Sequence, residues 1–306
     1  MSSAADPCSI VGVNWGSSAL RAYLIDAGGA AVDEVAEAVG VVGLDRAGMA
    51  AKLAALHARW PNVAGFYLSG MIGSNVGWAE VPYVSAPAAA ADIASAATRT
   101  QVGAVAVTIL PGVACRRDAD AMPDIMRGEE VELAGLMTLS GSAPVAAMPG
   151  THTKWVALES GLIGDFFTSM SGEIFDRLTA QGLLASIVEG EAVDGPAFRR
   201  GVAAGACDGF GLGTLLFGAR ALVIRGELSR AEAASYIRGC LIGTEVADAA
   251  RVFPDLAQAP VPLVGNAALS RLYASALAQR GFAAELVDPR LACLAGFRAI
   301  HAATHG

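Results

Sequence analysis

Two glycine-bearing turns constrain the fold of this chain more than any other feature of its sequence. The first turn, Asn14–Ser18, follows an apolar, β-branched run at Ser9–Val13, and the second, Pro149–Lys154, follows a shorter run at Pro144–Met148. Two further strand-like segments, separated by another tight turn, come after each of them. Each half of the chain therefore begins with three predicted strands joined by tight turns.

Alternating helix and strand patterns complete both halves. Asp45 is a predicted N-cap of a helix over residues 45–60, and Ser229 with Glu232 forms a capping box before a long helix. The order of elements repeats more clearly than the residues do. We therefore predict two related α/β domains with a cleft between them, residues 1–140 and 141–306. The final helix is a candidate to pack back on the first domain.

Composition limits the classes of protein that this chain can represent. It has 306 residues, of which 54% are hydrophobic, so it can bury two cores. The formal net charge is -8, and the only adjacent basic pairs are Arg116-Arg117 and Arg199-Arg200, which argues against a nucleic-acid partner. The five cysteines form no C-x-x-C pair, which is typical of reduced thiols in a cytoplasmic protein.

No membrane partner is expected either. The longest uncharged stretch, Leu133–Thr153, is interrupted by glycines and prolines, and a membrane span would need a longer continuous apolar run. Ser2–Pro7 is polar and has no basic region before an apolar one, so no signal peptide is predicted. We expect a cytoplasmic protein.

The two turns are candidate phosphate sites. Gly16 and Gly150 can point backbone N–H groups at an anion without a side chain in the way, and neighbouring hydroxyls can donate further hydrogen bonds. Ordinary hairpin turns favour the same residue types. The matching places of the two turns in matching halves favour phosphate binding. Neither is a Walker loop, since no G-x-x-x-x-G-K-[ST] occurs.

A third motif, Met126–Glu130, places carboxylates after a chain-breaking glycine. Gly128 interrupts the chain, and a helix is predicted to begin at Glu129. A carboxylate there could accept a proton from an attacking hydroxyl. Acidic residues are also common in the first turn of a helix, where they interact with its dipole. The residues alone leave both interpretations open.

Two further features have a functional and an ordinary interpretation. Gly70–Trp78 follows a buried strand and combines three glycines with a Trp, which fits either a substrate loop or a plain glycine-rich connection. Lys154 is one of only two lysines, and it could pair with a phosphate or lie on an exposed strand.

At these residues the sequence resembles the 2-dehydro-3-deoxygalactonokinases, a family of the sugar-kinase, hexokinase and actin superfamily. The resemblance runs over nearly the whole chain in short blocks whose joint order is specific. The blocks are Asn14–Ser18 with Leu20–Ala22, Gly70–Trp78 with Pro82-Tyr83, Met126–Glu130, Pro149–Trp155, Ser171–Glu173 and Leu241–Ala247.

The resemblance implies two ribonuclease H-like domains of the actin and hexokinase type around a nucleotide cleft. It implies transfer of the ATP γ-phosphoryl group to the 6-hydroxyl of 2-dehydro-3-deoxy-D-galactonate, in D-galactonate and galactose catabolism, with ATP and Mg²⁺ as cofactors. Domain closure would exclude water, which would otherwise accept the phosphoryl group. The expected partners are small molecules only, and the apolar helices could support a homodimer.

Site residues follow from the same resemblance. Glu129 is the expected general base and a metal contact, and the sugar acid would bind Ser74, Asn75, Trp78 and Arg127. Arg127 suits the carboxylate because its planar fork matches a planar anion. The expected ATP-binding residues are Asn14, Gly16, Ser17, Ser18, Gly150, Thr151, Thr153, Lys154, Gly265 and Asn266.

Asn14 departs from the family pattern, which usually reads Asp-Trp-Gly at this turn. That Asp helps to hold the Mg²⁺ bound to ATP, often through water, and Asn keeps an oxygen ligand without the charge. Two alternatives therefore stay open. One is a kinase for another 2-keto-3-deoxy or aldonic sugar acid. The other is a catalytically weakened regulator that binds nucleotide or sugar.

Overall fold

The computed structural model describes residues 8–139, 143–207 and 209–305. The chain forms two compact units that are not continuous in sequence. The first unit comprises Met1–Ser142, Glu159–Asp165 and Pro289–Gly306, and the second comprises Ala143–Leu158 and Phe166–Asp288. Of the predicted boundary region, residues 140–142 lie outside the described residues.

Secondary structure alternates along the whole chain. Up to residue 139 the elements are β1 (Ile10–Trp15), β2 (Leu20–Ile25), β3 (Ala31–Glu37), α1 (Arg46–Arg59), β4 (Gly65–Gly70), β5 (Val84–Ser85), α2 (Ala90–Ser95), β6 (Thr98–Val102), β7 (Val105–Ile109), β8 (Val113–Arg116), β9 (Pro123–Met126) and α3 (Glu129–Leu139).

The remaining elements follow from residue 145 onward. They are β10 (Val145–Met148), β11 (Thr153–Glu159), β12 (Leu162–Ser169), α4 (Ser171–Ala180), α5 (Pro196–Gly205), α6 (Leu212–Ile224), α7 (Arg230–Val252), β13 (Val261–Val264), α8 (Ala267–Gln279), β14 (Ala284–Val287) and α9 (Pro289–His305).

The two large sheets share one strand order. The first reads β3-β2-β1-β4-β7-β6 and the second reads β12-β11-β10-β13-β14. In the first, β1 is antiparallel to β2 and parallel to β4, and in the second, β10 is antiparallel to β11 and parallel to β13. The predicted repeat of three strands followed by alternating helix and strand is confirmed, and β6 is an addition to the first sheet.

Local sequence signals account for several element boundaries. The Asp45 side chain accepts a hydrogen bond from the Gly48 N–H at 2.8 Å, so the predicted cap of α1 is confirmed. The capping box of Ser229 and Glu232 opens α7 as predicted. Strand β1 runs on through Trp15, because Trp15 pairs with both Leu20 and Gly70. The first turn therefore begins at Gly16, and its predicted start at Asn14 is wrong.

The second turn is also shorter than predicted. Strand β11 begins at Thr153, so Thr153 and Lys154 belong to the strand, and Lys154 pairs with Met148. Thr153 and Trp155 then point to one face of the sheet, because side chains alternate along a strand. A small third sheet, in the order β5-β8-β9, was not predicted, because its strands are only two to four residues long.

Each unit contains a pair of helices whose backbones approach closely through glycines. In the first unit, a Cβ added to Gly135 of α3 would lie 1.8 Å from the Ala292 carbonyl oxygen, and one added to Gly296 of α9 would lie 1.8 Å from that of Val131. Helix α9, the last in the chain, thus packs on α3 within this unit. No side chain larger than hydrogen fits at either position.

In the second unit, α5 and α7 are in close contact through glycines in the same way. A Cβ on Gly201 would lie 2.2 Å from the Tyr236 carbonyl oxygen, and one on Gly239 would lie 2.2 Å from that of Phe198. Close backbone contact lets the two helices bury a continuous apolar surface with little space between them. The core beneath contains Trp155 and Phe198, both fully buried.

We expect Gly135→Ala to destabilise the first unit. The added methyl would overlap a backbone oxygen that cannot move without shifting α9, and overpacking of this kind costs at least about 2 kcal/mol. The melting temperature should fall by about 4–8 °C in a thermal unfolding experiment.

Gly218→Ala provides the matched control for this change. Gly218 lies in the middle of α6, and a Cβ there would meet nothing within 4 Å. Alanine is the better helix former, so the melting temperature should stay constant or rise slightly. Equal effects of the two substitutions would contradict the close α3–α9 contact.

Candidate active site

In the first unit, polar groups gather where two parallel strands end. Asn14 of β1 is in register with Ser69 of β4, and Trp15 with Gly70. Gly70 has a φ of 87°, and a Cβ there would lie 2.7 Å from the Trp15 carbonyl oxygen. Carboxyl ends of parallel strands are where open α/β sheets bind ligands. The backbone at this edge is therefore tightly packed around the Asn14 side chain.

The segment between β9 and α3 reaches the same edge. Gly128 has a φ of 110°, and a Cβ there would lie 3.4 Å from the Gly70 Cα and 3.8 Å from the Asn14 Oδ1. Helix α3 begins at the next residue, Glu129, as predicted. The structure thus brings together Asn14 and the junction that carries Glu129, although more than 100 residues separate them.

Two adjacent carboxylates differ in their surroundings. One Glu129 oxygen accepts a hydrogen bond from the Arg127 N–H at 3.1 Å. One Glu130 oxygen accepts from the Gly128 N–H at 2.5 Å, while its other oxygen is buried without a partner among the described residues. Burial, and then the nearby charge of Glu129, raise the pKa of Glu130 to about 8. Glu129, which is half-buried, is the carboxylate of this pair that a ligand can reach.

The Arg127 guanidinium stacks on an aromatic ring and donates one hydrogen bond to a backbone carbonyl oxygen. Its guanidinium carbon lies 4.3 Å from the centre of the Tyr83 ring, and its Nη2 donates to the Val81 carbonyl oxygen at 2.7 Å. Nε and Nη1 are buried and have no partner among the described residues. A buried donor without an acceptor is costly, so these two nitrogens are suited to an anionic ligand.

Residues 71–78 form a compact loop with its own hydrogen bonds. The Ser74 hydroxyl donates to the Met71 carbonyl oxygen at 2.7 Å and therefore shapes the loop. Asn75 is exposed. The Arg46 guanidinium carbon lies 4.6 Å from the centre of the Trp78 ring and holds that side chain on the loop. Of the three predicted loop residues, Asn75 and Trp78 keep polar or aromatic surface accessible.

Backbone hydrogen bonds of Gly16 hold the first turn in place. The Gly16 N–H donates to the Ala19 carbonyl oxygen at 2.9 Å, and the Gly16 carbonyl oxygen accepts from the Val41 N–H at 3.0 Å. The Gly16 N–H is therefore used inside the turn. Ser17 and Ser18, by contrast, are exposed. These two residues are the parts of the turn that can reach a ligand.

The second unit builds an equivalent corner at the ends of β10 and β13. A Cβ on Gly265 would lie 2.6 Å from the Pro149 carbonyl oxygen, so the two predicted nucleotide segments are in contact within this unit. The Asn266 side chain accepts from the N–H groups of Ala268 and Leu269, at 2.9 and 3.4 Å. Asn266 is thus the N-cap of α8.

The second turn rests on the start of α4. A Cβ on Gly172 would lie 2.3 Å from the Gly150 carbonyl oxygen, and the Glu173 N–H donates to the Thr151 carbonyl oxygen at 3.0 Å. The His152 Nε2 lies 2.7 Å from a Glu173 carboxylate oxygen, and this hydrogen bond lowers the pKa of Glu173. Thr151 and His152 are exposed at the tip of the turn.

Two predicted ATP-binding residues point into the protein. Thr153 is fully buried, and its Oγ1 lies 2.8 Å from the Tyr273 hydroxyl. Lys154 is 5% exposed, and its Nζ donates to the His152 carbonyl oxygen at 3.2 Å. Tyr273 and the buried Glu245 beside it were not predicted as site residues, and neither were Tyr83 and Val81. No local pattern marks them, because their contacts are long-range.

Neither a metal cluster nor a membrane span is found in the described part of the chain. Residues 8–139, 143–207 and 209–305 contain no group of three or more His, Cys, Asp or Glu side chains able to hold a metal ion. None of the helices described there is long and apolar enough to cross a membrane.

The shared strand order and the paired turns define the class of protein. Two sheets that each combine three leading strands with two parallel ones form the actin- and hexokinase-type fold. The (R)-2-hydroxyglutaryl-CoA dehydratase component A of Acidaminococcus fermentans has the same fold, with a TM-score of 0.53 and 11% identity over 96% of this chain and 97% of its own.

Comparison of the sequence then identifies the family. The model of the 2-keto-3-deoxy-galactonokinase family matches residues 14–300. The probable 2-dehydro-3-deoxygalactonokinase DgoK1 of Rhizobium meliloti is 34% identical, with 94% of each chain covered. The 2-dehydro-3-deoxygalactonokinase of Escherichia coli is 33% identical, with 95% of this chain and 96% of the relative covered.

A solved structure agrees with this assignment. The crystal structure of a candidate 2-dehydro-3-deoxygalactonokinase from Sinorhizobium meliloti has a TM-score of 0.84 and 33% identity, and covers 96% of this chain and 97% of its own. The chain belongs to the 2-keto-3-deoxy-galactonokinase family, and it is a sugar-acid kinase.

The raised pKa of Glu130 predicts a pH-dependent stability. Its pKa is about 8 in the folded protein and about 4.5 for an ordinary glutamate, so between these values the folded state binds a proton that the unfolded state lacks. The contribution of Glu130 to stability should therefore fall as pH rises through this window, by at most about 1.4 kcal/mol per pH unit, and Glu132, whose pKa burial also raises to about 8, adds a slope of the same sign. Glu130→Gln, which has no proton to lose, should reduce this slope.

Urea unfolding at pH 5.5, 6.5 and 7.5 measures the slope. Glu191→Gln is the matched control, because Glu191 is exposed and the same chemical change there should leave the wild-type slope. A slope in Glu130→Gln equal to that of the wild-type protein would contradict the assignment of a buried, protonated Glu130.

Proposed function

We propose that this protein transfers the γ-phosphoryl group of ATP to the 6-hydroxyl of 2-dehydro-3-deoxy-D-galactonate, in D-galactonate breakdown. The observation that carries the proposal is the pair of buried, unpartnered Arg127 nitrogens two residues before Glu129. They offer a site for a carboxylate close to a base for a hydroxyl. A sugar acid contains both groups.

Arg127 would bind the substrate carboxylate. Its guanidinium is fixed by the Tyr83 ring and the Val81 carbonyl oxygen, so it loses little rotational freedom when a ligand binds. Nε and Nη1 lie on different edges of the guanidinium, and each can donate a charge-assisted hydrogen bond to an anionic ligand. Asn75 and Trp78 would contact the rest of the sugar acid.

Glu129 would act as general base. It would accept the proton of the 6-hydroxyl as that oxygen attacks, and the bond from the Arg127 N–H helps to orient it. A half-buried carboxylate at a helix start is accessible to the substrate, whereas its neighbour Glu130 is fully buried. The two residues would therefore have different roles: Glu129 contacts the substrate, and Glu130 accepts a hydrogen bond from the Gly128 N–H.

The residues present fit a magnesium–nucleotide complex. Mg²⁺ in phosphoryl-transfer sites takes one or two carboxylates, substrate phosphates and several waters, so a dense cluster of acidic ligands is not required. Glu129 and the Asn14 amide oxygen, at one corner of the first unit, supply such a donor set. When bound, the metal neutralises charge on the transferring phosphoryl group.

The two turns would bind nucleotide phosphates. In the first unit, Ser17 and Ser18 are accessible donors, and Gly16 shapes the turn. In the second, Thr151 is accessible, while Lys154 places a positive charge just beneath the turn. Gly265, packed against Pro149, would leave room for the adenosine beside α8. ATP as a substrate favours a cytoplasmic setting, and the homodimer stays a prediction.

A panel of sugar acids tests the substrate. We expect ADP release, followed with a coupled assay, to be fastest with 2-dehydro-3-deoxy-D-galactonate and clearly slower with its gluconate epimer and with simple aldonic acids. Faster turnover of another acid would overturn the substrate assignment and keep the kinase. ATP binding without turnover of any acid would favour a regulator, for which the uncharged Asn14 is the motivating residue.

Glu129→Gln tests the general base. The amide keeps the size of the side chain but cannot accept the proton, so kcat should fall by roughly 10²–10⁴-fold while the KM for the sugar acid changes little. Steady-state kinetics with the coupled assay measure both constants.

Glu132→Gln is the matched control for this substitution, since Glu132 lies on the same helix and makes no proposed contact with substrate. It should keep kcat within a few-fold of the wild-type value. A Glu129→Gln enzyme as active as this control would remove Glu129 from the role of base.

A further inference from the structure

A buried chain of hydrogen bonds runs from helix α7 to the second turn. Tyr273 of α8 donates its hydroxyl hydrogen to a Glu245 carboxylate oxygen at 2.9 Å. The same Tyr273 oxygen lies 2.8 Å from the Thr153 Oγ1, and the Thr153 Oγ1 accepts from the Gly150 N–H at 3.4 Å. All four residues belong to the second unit. The chain therefore links the interior of this unit to the turn at Gly150.

Glu245 is the innermost residue of this hydrogen-bond network. It is 3% exposed, and its Oε2 also accepts from the Trp155 Nε1 at 3.1 Å. An indole N–H can only donate, so this oxygen is held as an acceptor. The Tyr273 hydroxyl donates to the same oxygen.

The direction of every other bond in the chain follows. A hydroxyl carries one hydrogen, and that of Tyr273 is used toward Glu245. The Tyr273 oxygen can therefore only accept from Thr153, so the Thr153 hydrogen points inward. The Thr153 oxygen is left as an acceptor, which matches its bond from the Gly150 N–H. Thr153 has no hydrogen left to donate to a phosphate.

Burial supports the same conclusion. Thr153 and Tyr273 are 0% and 1% exposed, whereas Thr151, two residues earlier, is exposed at the tip of the turn. Polar groups buried this deeply are costly unless hydrogen-bonded, and here the Tyr273 hydroxyl lies within hydrogen-bond distance of Glu245, Thr153 and, at 3.3 Å, the Ser171 Oγ. Rotation of the Thr153 side chain would break its bonds to both Tyr273 and the Gly150 N–H, so the network favours one geometry of the turn.

We propose that Tyr273 and Thr153, anchored by Glu245, are positioning residues that fix the shape of the second turn for nucleotide phosphate. Thr153 acts on the turn through Gly150 and not on the phosphate, which Thr151 contacts. This inference rests on the proposed function, in which the turn binds ATP. It assigns Thr153 a different role from the phosphate contact that the sequence predicts.

Removing the hydroxyl of Tyr273 or of Thr153 from the hydrogen-bond network tests the proposal. Tyr273→Phe and Thr153→Val keep the shape of each side chain and lose the hydroxyl. Each should raise the KM for ATP by about 10-fold, equivalent to about 1.4 kcal/mol, with the KM for the sugar acid nearly unchanged. Thr153→Ser, which restores the hydroxyl, should recover most of the ATP affinity.

The double variant separates a connected chain from two independent losses. Loss of either hydroxyl already breaks the bond between Tyr273 and Thr153 that links Glu245 to the turn, so Tyr273→Phe with Thr153→Val should bind ATP about as weakly as either single variant. Titration calorimetry with ATP and Mg²⁺ measures this without catalysis. Tyr236→Phe, which removes the hydroxyl of another buried tyrosine, on α7, is the control and should keep the wild-type affinity.

Three outcomes would overturn the proposal: wild-type ATP affinity in Tyr273→Phe, additive losses in the double variant, or an equal loss in Tyr236→Phe. A wild-type protein that binds ATP but turns over no sugar acid would count against the proposed function alone, because calorimetry still reports on the turn. A wild-type protein that does not bind ATP would remove both.

Discussion

Direct contact between helix backbones, made possible by glycine, is the constraint on which both units depend. Helix α3 meets α9 at Gly135 and Gly296, and its first residue is Glu129. Helix α7 meets α5 at Gly239 and Gly201, and it carries Glu245. Close helix packing of this kind fixes the positions of Glu129, at the start of α3, and of Glu245, within α7.

The duplicated sheet gives each unit the same kind of corner, and the two corners differ in chemistry. In the first unit Gly70 packs closely against the backbone of Trp15, and in the second Gly265 packs closely against that of Pro149. Asn14 and the junction with Glu129 lie at the first corner, and they are the proposed contacts for metal and substrate. The second corner offers a braced turn and a buried lysine, which suit phosphate.

Asn14 illustrates how the surroundings change the meaning of a substitution. Its side chain lies against Gly70 and Gly128, next to the start of α3, so the corner keeps the Glu129 carboxylate although the expected aspartate is missing. One carboxylate lies within the range that a magnesium–nucleotide complex uses. Under the proposed function, Asn14 therefore predicts altered metal affinity and not an inactive fold.

The sequence by itself determined the order of the main elements, the caps at Asp45 and Ser229, and the approximate places of both turns, because these depend on patterns within a few residues. The structure corrected the bounds of both turns and added β6 and the small third sheet. Only the tertiary structure decided which groups of the turns remain available. The Gly16 N–H is used by Ala19, and the Thr153 hydroxyl is held by Tyr273, 120 residues away. Hydrogen-bond direction inside a protein depends on such distant partners, which no local pattern encodes.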